Sequence, residues 1–394
     1  MKEFFLKGSD WFLAVAAVAA CIGAFVVAMH WQIAIAAINK VNATLAAAPV
    51  PSEAITAPPA RVKPPRQVVK GLYLTAYSAN DPAKLDEIIH LIDTTELNAV
   101  VIDIKDYSGL VLFDSKLPIV NKLHLKDNRF TDLAATIKKL HEHHIYVIAR
   151  ETVFEDPVLA AAKPEWAIKT KEGGIWKDQK GLSWVDPTKL AVWKYEIDIA
   201  KEAAQYDFDE INFDYVRFPS DGDMRDVAYD NGAEPKYRVM YDFYQYVHEQ
   251  MANEPVWTSF DMFGLVMEEK GTSDMGIGQR LTDAVGAVDY IDPMMYPSLY
   301  APGHLGYANP AAHPVEVIAH GLEEGLPAFA SSTTEVRPWI QAFNLGAIYD
   351  GTMIREEIDT VEKYSHAGWL LWNAENRYTA AGLKSATSTY AQSL

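Results

Sequence analysis

The sequence predicts an α/β fold, a (β/α)8 barrel of the TIM type preceded by one N-terminal transmembrane helix. Eight strand-like segments alternate with helix-like segments, and a barrel of about 250 residues with loop insertions accommodates that number. The first strand is not followed by the glycine-rich phosphate loop that a doubly wound open sheet, the alternative fold, normally carries. The helix is predicted from one long uncharged run near the N-terminus.

That run, WFLAVAAVAACIGAFVVAMHWQIAIAAI at residues 11–38, contains no Asp, Glu, Lys or Arg. About 20 apolar residues suffice to cross a bilayer as a helix, and the apolar region of a signal peptide is shorter, about 7–15 residues. We therefore predict a short cytoplasmic segment at residues 1–10 and an uncleaved signal anchor at 11–38, which binds the lipid bilayer of the cytoplasmic membrane. The small residues of TLAAAPV leave a cleaved signal peptide, and hence secretion, as the alternative.

Residues 39–67 form a Pro/Ala-rich linker, because such a composition stays extended and semi-rigid. The folded domain is predicted at 68–394, outside the cytoplasm. The formal net charge of −18 repels polyanions, which argues against nucleic acid as a partner. The single cysteine, Cys21, excludes an intrachain disulfide and lies in the predicted membrane span, where it cannot serve as a catalytic thiol.

The eight predicted strands are rich in β-branched and aromatic residues. They occupy residues 68–77, 99–106, 145–154, 210–219, 256–264, 289–298, 336–343 and 369–378. The predicted helices between them have apolar residues at helical spacing. They occupy residues 81–97, 131–144, 186–206, 238–251, 278–288, 309–326 and 351–368. Asp81 followed by Pro82 predicts the N-terminal cap of the first helix.

Ionisable side chains recur late in the strands. Because side chains alternate along a strand, Asn212 and Asp214 in EINFDYVRFP share the face opposite its apolar residues, and Asp103 and Lys105 share one face of the second strand. Comparable positions in or near the ends of other strands are held by Arg150, Asp261, Asp292, Tyr296 and Glu375. Buried unpaired charges are costly, and barrel active sites lie at the C-terminal mouth. We therefore expect these groups to line a solvated cleft there, with Arg217 just above Asp214.

Two carboxylates on neighbouring strands are typical of glycoside hydrolysis, in which one attacks or activates water and the other protonates the leaving oxygen. Asp214 on the fourth strand and Asp261 on the fifth are the predicted catalytic pair. Asp103 and Glu375 are alternative acids.

The role of the cations near these carboxylates has two interpretations. Lys105 or Arg150 would hold a nucleophilic carboxylate ionised. Alternatively, Asp214 pairs with Arg150 or Arg217 and only braces the barrel.

Aromatic residues near the strand ends predict contacts with sugar rings, because aromatic faces stack on apolar faces of sugars. The predicted rings are Tyr73, Trp184, Trp339 and Trp372. The polar part of the predicted substrate-binding set comprises Asp103, Lys105, Arg150, Arg217, Asp292, Tyr296 and Glu375.

No metal or cofactor is predicted. HEHH at 141–144 ends a helix, where histidine cations suit the helix dipole, and precedes a strand, so it lies at the end of the barrel opposite the mouth. The first strand lacks the paired histidines of metal-dependent barrel hydrolases, and no G-x-S-x-G serine elbow is present.

The motifs VIDIKDYSG, INFDYVRFPSDG, DPMMYPS, RPWIQAF and GWLLWNAENRY resemble, in order and over roughly residues 68–380, those of a glycosyl-hydrolase family of bacterial and archaeal TIM barrels known as a domain of unknown function. The resemblance implies a barrel and a sugar substrate. The family is similar to α-amylase-type barrels, which implies Asp214 as the nucleophile and Asp261 as the acid, where the α-amylase pattern has Glu.

The sequence therefore predicts a glycoside hydrolase that cleaves O-glycosyl bonds in a polysaccharide or oligosaccharide of the cell envelope or its surroundings. The main alternative is a non-catalytic glycan-binding or scaffold barrel at the envelope. A metal-dependent hydrolase such as a deacetylase is a third class.

Overall fold

The structure is a computed structural model that describes residues 62–229 and 234–386. The predicted membrane segment at 11–38 and most of the predicted linker lie outside the described residues. Within the described part of the chain, no helix has the length and apolar character needed to span a bilayer. The signal anchor therefore stays a prediction.

Eight parallel strands of the described chain close into a barrel. They are β1 (Val69–Leu74), β2 (Ala99–Lys105), β3 (Tyr146–Thr152), β4 (Glu210–Asp214), β5 (Trp257–Phe263), β6 (Tyr290–Met294), β7 (Trp339–Gln341) and β8 (Gly368–Trp372). Neighbours in sequence are neighbours in the sheet from β1 to β6, β8 pairs with β1, and β7 lies between β8 and β6. The predicted barrel is confirmed.

The seventh position of the barrel is the least regular. The short strand Glu335–Val336 pairs with β6, and β7 then pairs with β8 while keeping one register contact to β6, between Trp339 and Met294. Pro338 has no N–H to donate to a ladder, which accounts for the break between the two pieces. The predicted strand at 336–343 corresponds to this interrupted segment.

Among the described residues, seven helices cover the outside of the barrel. They are α1 (Pro82–Thr94), α2 (Leu133–Glu142), α3 (Leu190–Ala203), α4 (Lys236–Met251), α5 (Leu281–Ala284), α6 (Pro314–Gly325) and α7 (Gly351–Tyr364). Asp81 caps α1 as predicted, because its Oδ1 accepts the N–H groups of Ala83 at 2.9 Å and Lys84 at 3.1 Å. Helix α5 is a single turn, shorter than the predicted 278–288. Gly278 and Gly286, with φ of +84° and +93°, leave helical geometry on both sides of it.

Shorter elements decorate the loops. The additional α-helices are Ala76–Asn80, Pro118–Lys122 and Pro157–Ala162. The 3-10 turns are Pro164–Trp166, Ala204–Tyr206, Gly264–Met267, Pro297–Leu299, His304–Gly306, Pro310–Ala312 and Leu326–Phe329. A two-stranded antiparallel ladder joins Lys169–Thr170 to Val227–Ala228 and ties the loop after β3 to the loop after β4.

Apolar side chains form two separate cores. The larger core lies between the strands and the helices. The smaller one fills part of the barrel interior and consists of Val69, Tyr73, Ala99, Val101, Tyr146, Ile148, Tyr296, Trp339 and Leu370. The rest of the interior is polar and charged, and it forms the base of the site described below.

The last residues of the predicted linker pack on the barrel. The indole N–H of Trp257 donates to the carbonyl of Pro64 at 3.0 Å, and the guanidinium of Arg66 lies 4.6 Å from the Trp257 ring. Arg66 also pairs with Glu335 at 2.5 Å. Trp257 begins β5 and Glu335 precedes β7, so residues 62–67 lie at the end of the barrel opposite the mouth. The contacts of the folded part therefore begin before residue 68.

Candidate active site

Arg150 is the central cation of the barrel interior near the mouth. Its Nη1 lies 2.6 Å from Asp103 Oδ1, its Nη2 contacts Asp214 Oδ2, and its Nε lies 3.7 Å from Asp261 Oδ2. These carboxylates come from β2, β4 and β5, which surround the arginine on β3. Although burial opposes it, these negative charges hold the pKa of Arg150 well above its ordinary value. Three predicted site carboxylates are thus brought to one predicted cation.

Tyr73 extends this network on the β1 side. Its hydroxyl donates to Asp103 Oδ2 at 2.5 Å, so that each oxygen of Asp103 has one partner, Tyr73 or Arg150. Burial raises the pKa of Asp103 to about 6, while the Arg150 charge and these hydrogen bonds lower it in part. The chain Tyr73–Asp103–Arg150–Asp214 therefore fixes the position of Asp214 from the β1 side of the barrel.

Asp214 is the last residue of β4. The next residue, Tyr215, has a φ of +55°, a left-handed conformation that is uncommon for a side chain larger than glycine and often marks functional sites. This turn aims the Tyr215 N–H at Asp214 Oδ1, 2.5 Å away. Both oxygens of Asp214 are therefore held, one by Arg150 and one by the backbone. The predicted strand at 210–219 ends at this turn.

Because the strand ends there, Arg217 does not continue the strand just above Asp214, contrary to the prediction. Its guanidinium lies 5.0 Å from the ring of Trp184 and 4.6 Å from that of Phe263, and its Nη1 donates to the Phe218 carbonyl at 3.1 Å. Trp184 is fully buried and donates to Asp178 Oδ2 at 3.2 Å. Trp184 and Arg217, predicted to contact substrate, instead pack the loop after β3 onto the barrel.

An open cavity of about 660 Å³ lies at the mouth, and we call it the first cavity. Of the predicted residues, it is lined by Tyr73, Asp103, Arg150 and Trp372. The ring of Trp372 stacks on that of Tyr73, with 4.1 Å between centroids and 21° between planes. These two rings form an aromatic wall beside the Arg150 network, as the sequence predicts for a sugar site.

Glu155 also lines the first cavity, and the sequence reasoning missed it. The N–H of Val153 donates to the carbonyl of Asp214 at 2.9 Å, so the chain continues alongside β4 beyond β3 and carries Glu155 past the level of Asp214. Glu155 is 3 % exposed. Its Oε1 has no hydrogen-bond partner among the described residues.

Burial raises the pKa of Glu155 to about 7; the Asp178 and Asp214 charges raise it further, against the lowering effects of Lys180 and Arg217. With a pKa of about 7, this carboxyl group is about half protonated at neutral pH, and the protonated form is the one that a general acid needs. The only signal in the sequence is its place in RETVFED, one residue after the predicted third strand ends at 154.

Asp261 lies deeper than Glu155. It is 2 % exposed and is not among the residues that line the first cavity. Its Oδ1 accepts from Asn212 Nδ2 at 2.8 Å and from Trp339 Nε1 at 2.7 Å. Burial, together with the Asp214 charge, raises its pKa well above the ordinary value. Trp339 is fully buried, so it supports Asp261 and does not offer a face to a sugar at the mouth.

A second charged layer lies below Asp261. Arg337 donates to Glu210 Oε2 at 3.0 Å and to Asp292 Oδ2 at 2.7 Å, and all three residues are fully buried. Ser259 Oγ donates to Glu210 Oε1 at 2.6 Å. Asp292, predicted to bind substrate, is thus an internal partner of Arg337. The sequence reasoning missed Arg337, because it lies in the irregular seventh strand.

Lys105 does not reach the mouth. The pairing of β2 with β3 shifts register between Asp103 and Lys105, and such a bulge reverses the side to which the next side chains point. The Lys105 ammonium instead lies 2.9 Å from Asp156 and 3.0 Å from Glu196 of α3, fully buried outside the barrel. The prediction that Asp103 and Lys105 share a face is wrong for this reason.

The remaining predicted residues are divided between core and rim. Tyr296 is buried, and its ring lies 5.8 Å from that of Phe343 in an edge contact. Glu375 is exposed beyond the end of β8, pairs with Arg377 at 3.1 Å, and lines a neighbouring cavity. Within residues 62–229 and 234–386, no group of three or more His, Cys, Asp and Glu side chains could hold a metal ion.

The fold and site define a class of protein: a (β/α)8 barrel with buried carboxylates, a shared arginine and an open cavity at its C-terminal mouth, where enzymes of this fold bind their substrates. The chain belongs to the family described as "Putative glycosyl hydrolase domain", whose model matches residues 71–378. No curated protein matches the sequence.

Solved structures similar to this chain include several barrels. A hypothetical protein from Ruminiclostridium thermocellum ATCC 27405 is 37 % identical over 48 % of this chain and 96 % of its own, with a TM-score of 0.46. The glycoside hydrolase domain of PgaB (BpsB) from Bordetella bronchiseptica is 13 % identical over 79 % of this chain and 95 % of its own, with a TM-score of 0.56. Alpha-L-fucosidase isoenzyme 2 from Paenibacillus thiaminolyticus is 15 % identical over 78 % and 46 %, with a TM-score of 0.52. At 13 % and 15 % identity, the last two show likeness of fold alone.

Proposed function

We propose that this protein hydrolyses O-glycosidic bonds of a polysaccharide or oligosaccharide outside the cytoplasmic membrane. The observation that carries the proposal is that an oriented carboxylate, Asp214, lies on a chain segment adjacent to that of Glu155, and that Glu155 and Arg150, the partner of Asp214, both line the first cavity. Membership of the family described as "Putative glycosyl hydrolase domain" supports the same reaction. Residues 11–38 anchor the chain in the membrane in this proposal, supported by their uncharged composition; secretion after cleavage is the alternative.

In this mechanism, Asp214 is the nucleophile or the base. Either its carboxylate oxygen bonds to the anomeric carbon, or it accepts a proton from the water that attacks that carbon. Arg150 and the Tyr215 N–H hold the two carboxylate oxygens in place, which limits the motion that would otherwise cost rate. Each of these contacts occupies one lone pair of an Asp214 oxygen. Asp214 therefore attacks, or accepts a proton, through one of the remaining lone pairs.

Glu155 is the acid. As the bond between the anomeric carbon and the leaving oxygen breaks, its proton moves to that oxygen. If Asp214 has bonded to the anomeric carbon, water then attacks that carbon, the bond to Asp214 breaks, and a proton of the water returns to Glu155. If Asp214 is the base, it takes the proton of the attacking water instead. Asp261 was the acid predicted from the sequence. The geometry favours Glu155, because Glu155 lines the cavity with a free oxygen whereas Asp261 Oδ1 is occupied by Asn212 and Trp339.

The experiment is a screen of the full-length chain against starch, cellulose, chitin, xylan and peptidoglycan, with release of reducing ends as the readout. We expect activity on at least one polymer and its loss in Asp214→Asn, with binding of that polymer retained. Asp242→Asn, in an exposed ion pair of α4, is the matched control. Equal turnover by Asp214→Asn would reject the catalytic role.

A non-catalytic glycan-binding barrel is the second candidate function. It is favoured by one observation: Asp214 already has a partner for each oxygen, as in a structural ion pair. In that case wild type and Asp214→Asn would retain the same polymer, and neither would release reducing ends.

A further inference from the structure

A second cavity, of about 550 Å³, lies next to the first one at the mouth of the barrel. It is formed by the loops that follow β7 and β8, and its lining includes Phe343, Tyr349, Glu375 and Arg377. These loops leave the C-terminal ends of their strands, so the second cavity opens at the same end of the barrel as Asp214. None of the catalytic groups proposed above lines it.

The two cavities adjoin each other. Trp372 and Ala374 line both of them, so Trp372 lies at the boundary between the two. A typical site for one small molecule has a volume of about 300–1,000 Å³. Each cavity alone falls within that range, whereas the two together exceed it. The combined space suits a ligand that is longer than one that fills the first cavity alone.

Aromatic rings occur along the whole length of this space. Phe343 is half-buried in the second cavity, where its edge contact with Tyr296 fixes the ring. At the far side of the first cavity, Tyr77 and Tyr107 are 54 % and 62 % exposed. Packing an aromatic ring of this size against an apolar surface is energetically favourable. The pyranose ring of each sugar in a chain offers such a surface.

The polar groups of the second cavity suit sugar hydroxyls. Glu375 and Arg377 form an exposed ion pair at 3.1 Å, which offers both acceptors and donors at the cavity edge. An exposed pair of this kind contributes little to stability, so it remains available to hydrogen-bond a ligand.

We infer that the second cavity binds further sugar residues of the substrate, so that the glycan chain continues from the first cavity across Trp372 to Phe343. The protein therefore acts on an oligomeric or polymeric glycan and discriminates against disaccharides. This inference rests on the proposed function, because the occupant of the second cavity is the chain whose bond is cleaved beside Asp214.

The test measures binding to full-length Asp214→Asn, which prevents turnover. The probes are three defined series, maltose to maltohexaose, cellobiose to cellohexaose and chitobiose to chitohexaose, titrated calorimetrically. In at least one series, we expect the hexasaccharide to bind about tenfold or more tightly than the disaccharide. Adding Phe343→Ala should remove most of this difference while changing disaccharide affinity less than about twofold. Ile348→Ala is the control, because Ile348 lies on the same loop, is 79 % exposed and does not line the cavity.

Three results would overturn the inference. One is equal affinity for disaccharide and hexasaccharide; another is an unchanged hexasaccharide affinity in Phe343→Ala. Either can occur while the wild type still releases reducing ends, in which case the proposed hydrolysis stands and the role of the second cavity fails. The third is binding of none of the three series. If no polymer is hydrolysed either, the proposed function fails with it.

Discussion

Arg150 joins Asp103 to Asp214 across the mouth of the barrel, with 2.6 Å between its Nη1 and Asp103 Oδ1 and its Nη2 in contact with Asp214 Oδ2. Asp103 and Arg150 are register partners on β2 and β3, whereas Asp214 lies on β4 two residues beyond Asn212, the register partner of Arg150. A planar guanidinium can serve two carboxylates at fixed angles, which a lysine ammonium on a flexible stem does less well. The position of Asp214 thus depends on the shape of its partner as well as on its charge.

Arg150→Lys should therefore lower kcat about 10²-fold while keeping the positive charge. The ammonium cannot hold Asp103 and Asp214 at once, so Asp214 loses its orientation, and a small misplacement can cost about this much in rate. Urea unfolding should show a loss of about 1–3 kcal/mol. Arg225→Lys is the control, because Arg225 forms an exposed ion pair with Asp223. Wild-type kcat in Arg150→Lys would show that charge alone suffices.

Glu155→Gln should remove the alkaline limb of the pH–rate profile. The proposed acid must be protonated, and its pKa is raised to about 7, so wild-type kcat/KM should fall as the pH rises through about 7. The amide cannot donate an acidic proton, so the variant should be slow, by about 10²–10⁴-fold, with no such limb.

Asp261→Asn is the matched comparison for that profile. If Glu155 is the acid, Asp261→Asn keeps the alkaline limb even if its activity falls. A profile that keeps its limb in Glu155→Gln and loses it in Asp261→Asn would return the acid role to Asp261.

Lys105→Met should destabilise the fold. Lys105 faces the buried side chains of Asp156 and Glu196. Removing its charge leaves the Asp156 carboxylate without its buried partner, and removing one partner of a buried ion pair costs about 3–5 kcal/mol. The free energy of unfolding in urea measures the change. Lys84→Met, which breaks an exposed pair with Glu87, should cost less than about 1 kcal/mol. Equal effects of the two substitutions would refute the buried role of Lys105.

The free energy of unfolding should decrease as the pH rises from about 5 to about 8. Burial, aided by the Asp156 charge and opposed by Lys105, raises the pKa of Glu196 to about 8 in the folded protein, whereas an unfolded glutamate titrates near about 4.3. Between these values the folded state binds more protons than the unfolded state, so the free energy of unfolding decreases as the pH rises.

The urea midpoint at pH 5, 6.5 and 8 measures this slope. Glu196→Gln cannot titrate, so its slope should be shallower than that of the wild type. It should not be flat, since Glu155 and Asp292 have raised pKa values in the same window. A wild-type midpoint that rises from pH 5 to pH 8 would contradict the prediction.

The barrel could be predicted from the sequence because its signal is repeated. Eight apolar segments, each followed by a helix-like or turn-rich stretch, leave few architectures available. Asp214, Arg150 and Asp103 could likewise be placed together, because strand alternation and the common direction of parallel strands act on each of them in the same way. The cap of α1 at Asp81 is encoded by two adjacent residues and needs no tertiary information.

The rest of the site depends on local irregularities of the backbone that the alternation of side chains along a strand does not predict. The bulge after Asp103 sends Lys105 out of the barrel, and the left-handed turn at Tyr215 ends β4 before Arg217. Glu155 enters the site only because pairing continues past β3. Trp339 has the composition of a sugar platform, but its burial in the barrel interior is a tertiary property that a single sequence does not reveal.

The layer of Arg337, Glu210 and Asp292 has a consequence for how such a barrel can diverge. Because one cation is shared by two buried acids, replacing Arg337 alone leaves uncompensated charge in the interior, a defect of several kcal/mol. A substitution of Arg337 must therefore be accompanied or preceded by changes at Glu210 and Asp292. In related sequences we expect the residues at these three sites to covary. The combination of residues there should change more slowly during evolution than the loops around the mouth, and should therefore be a more reliable sign of common ancestry.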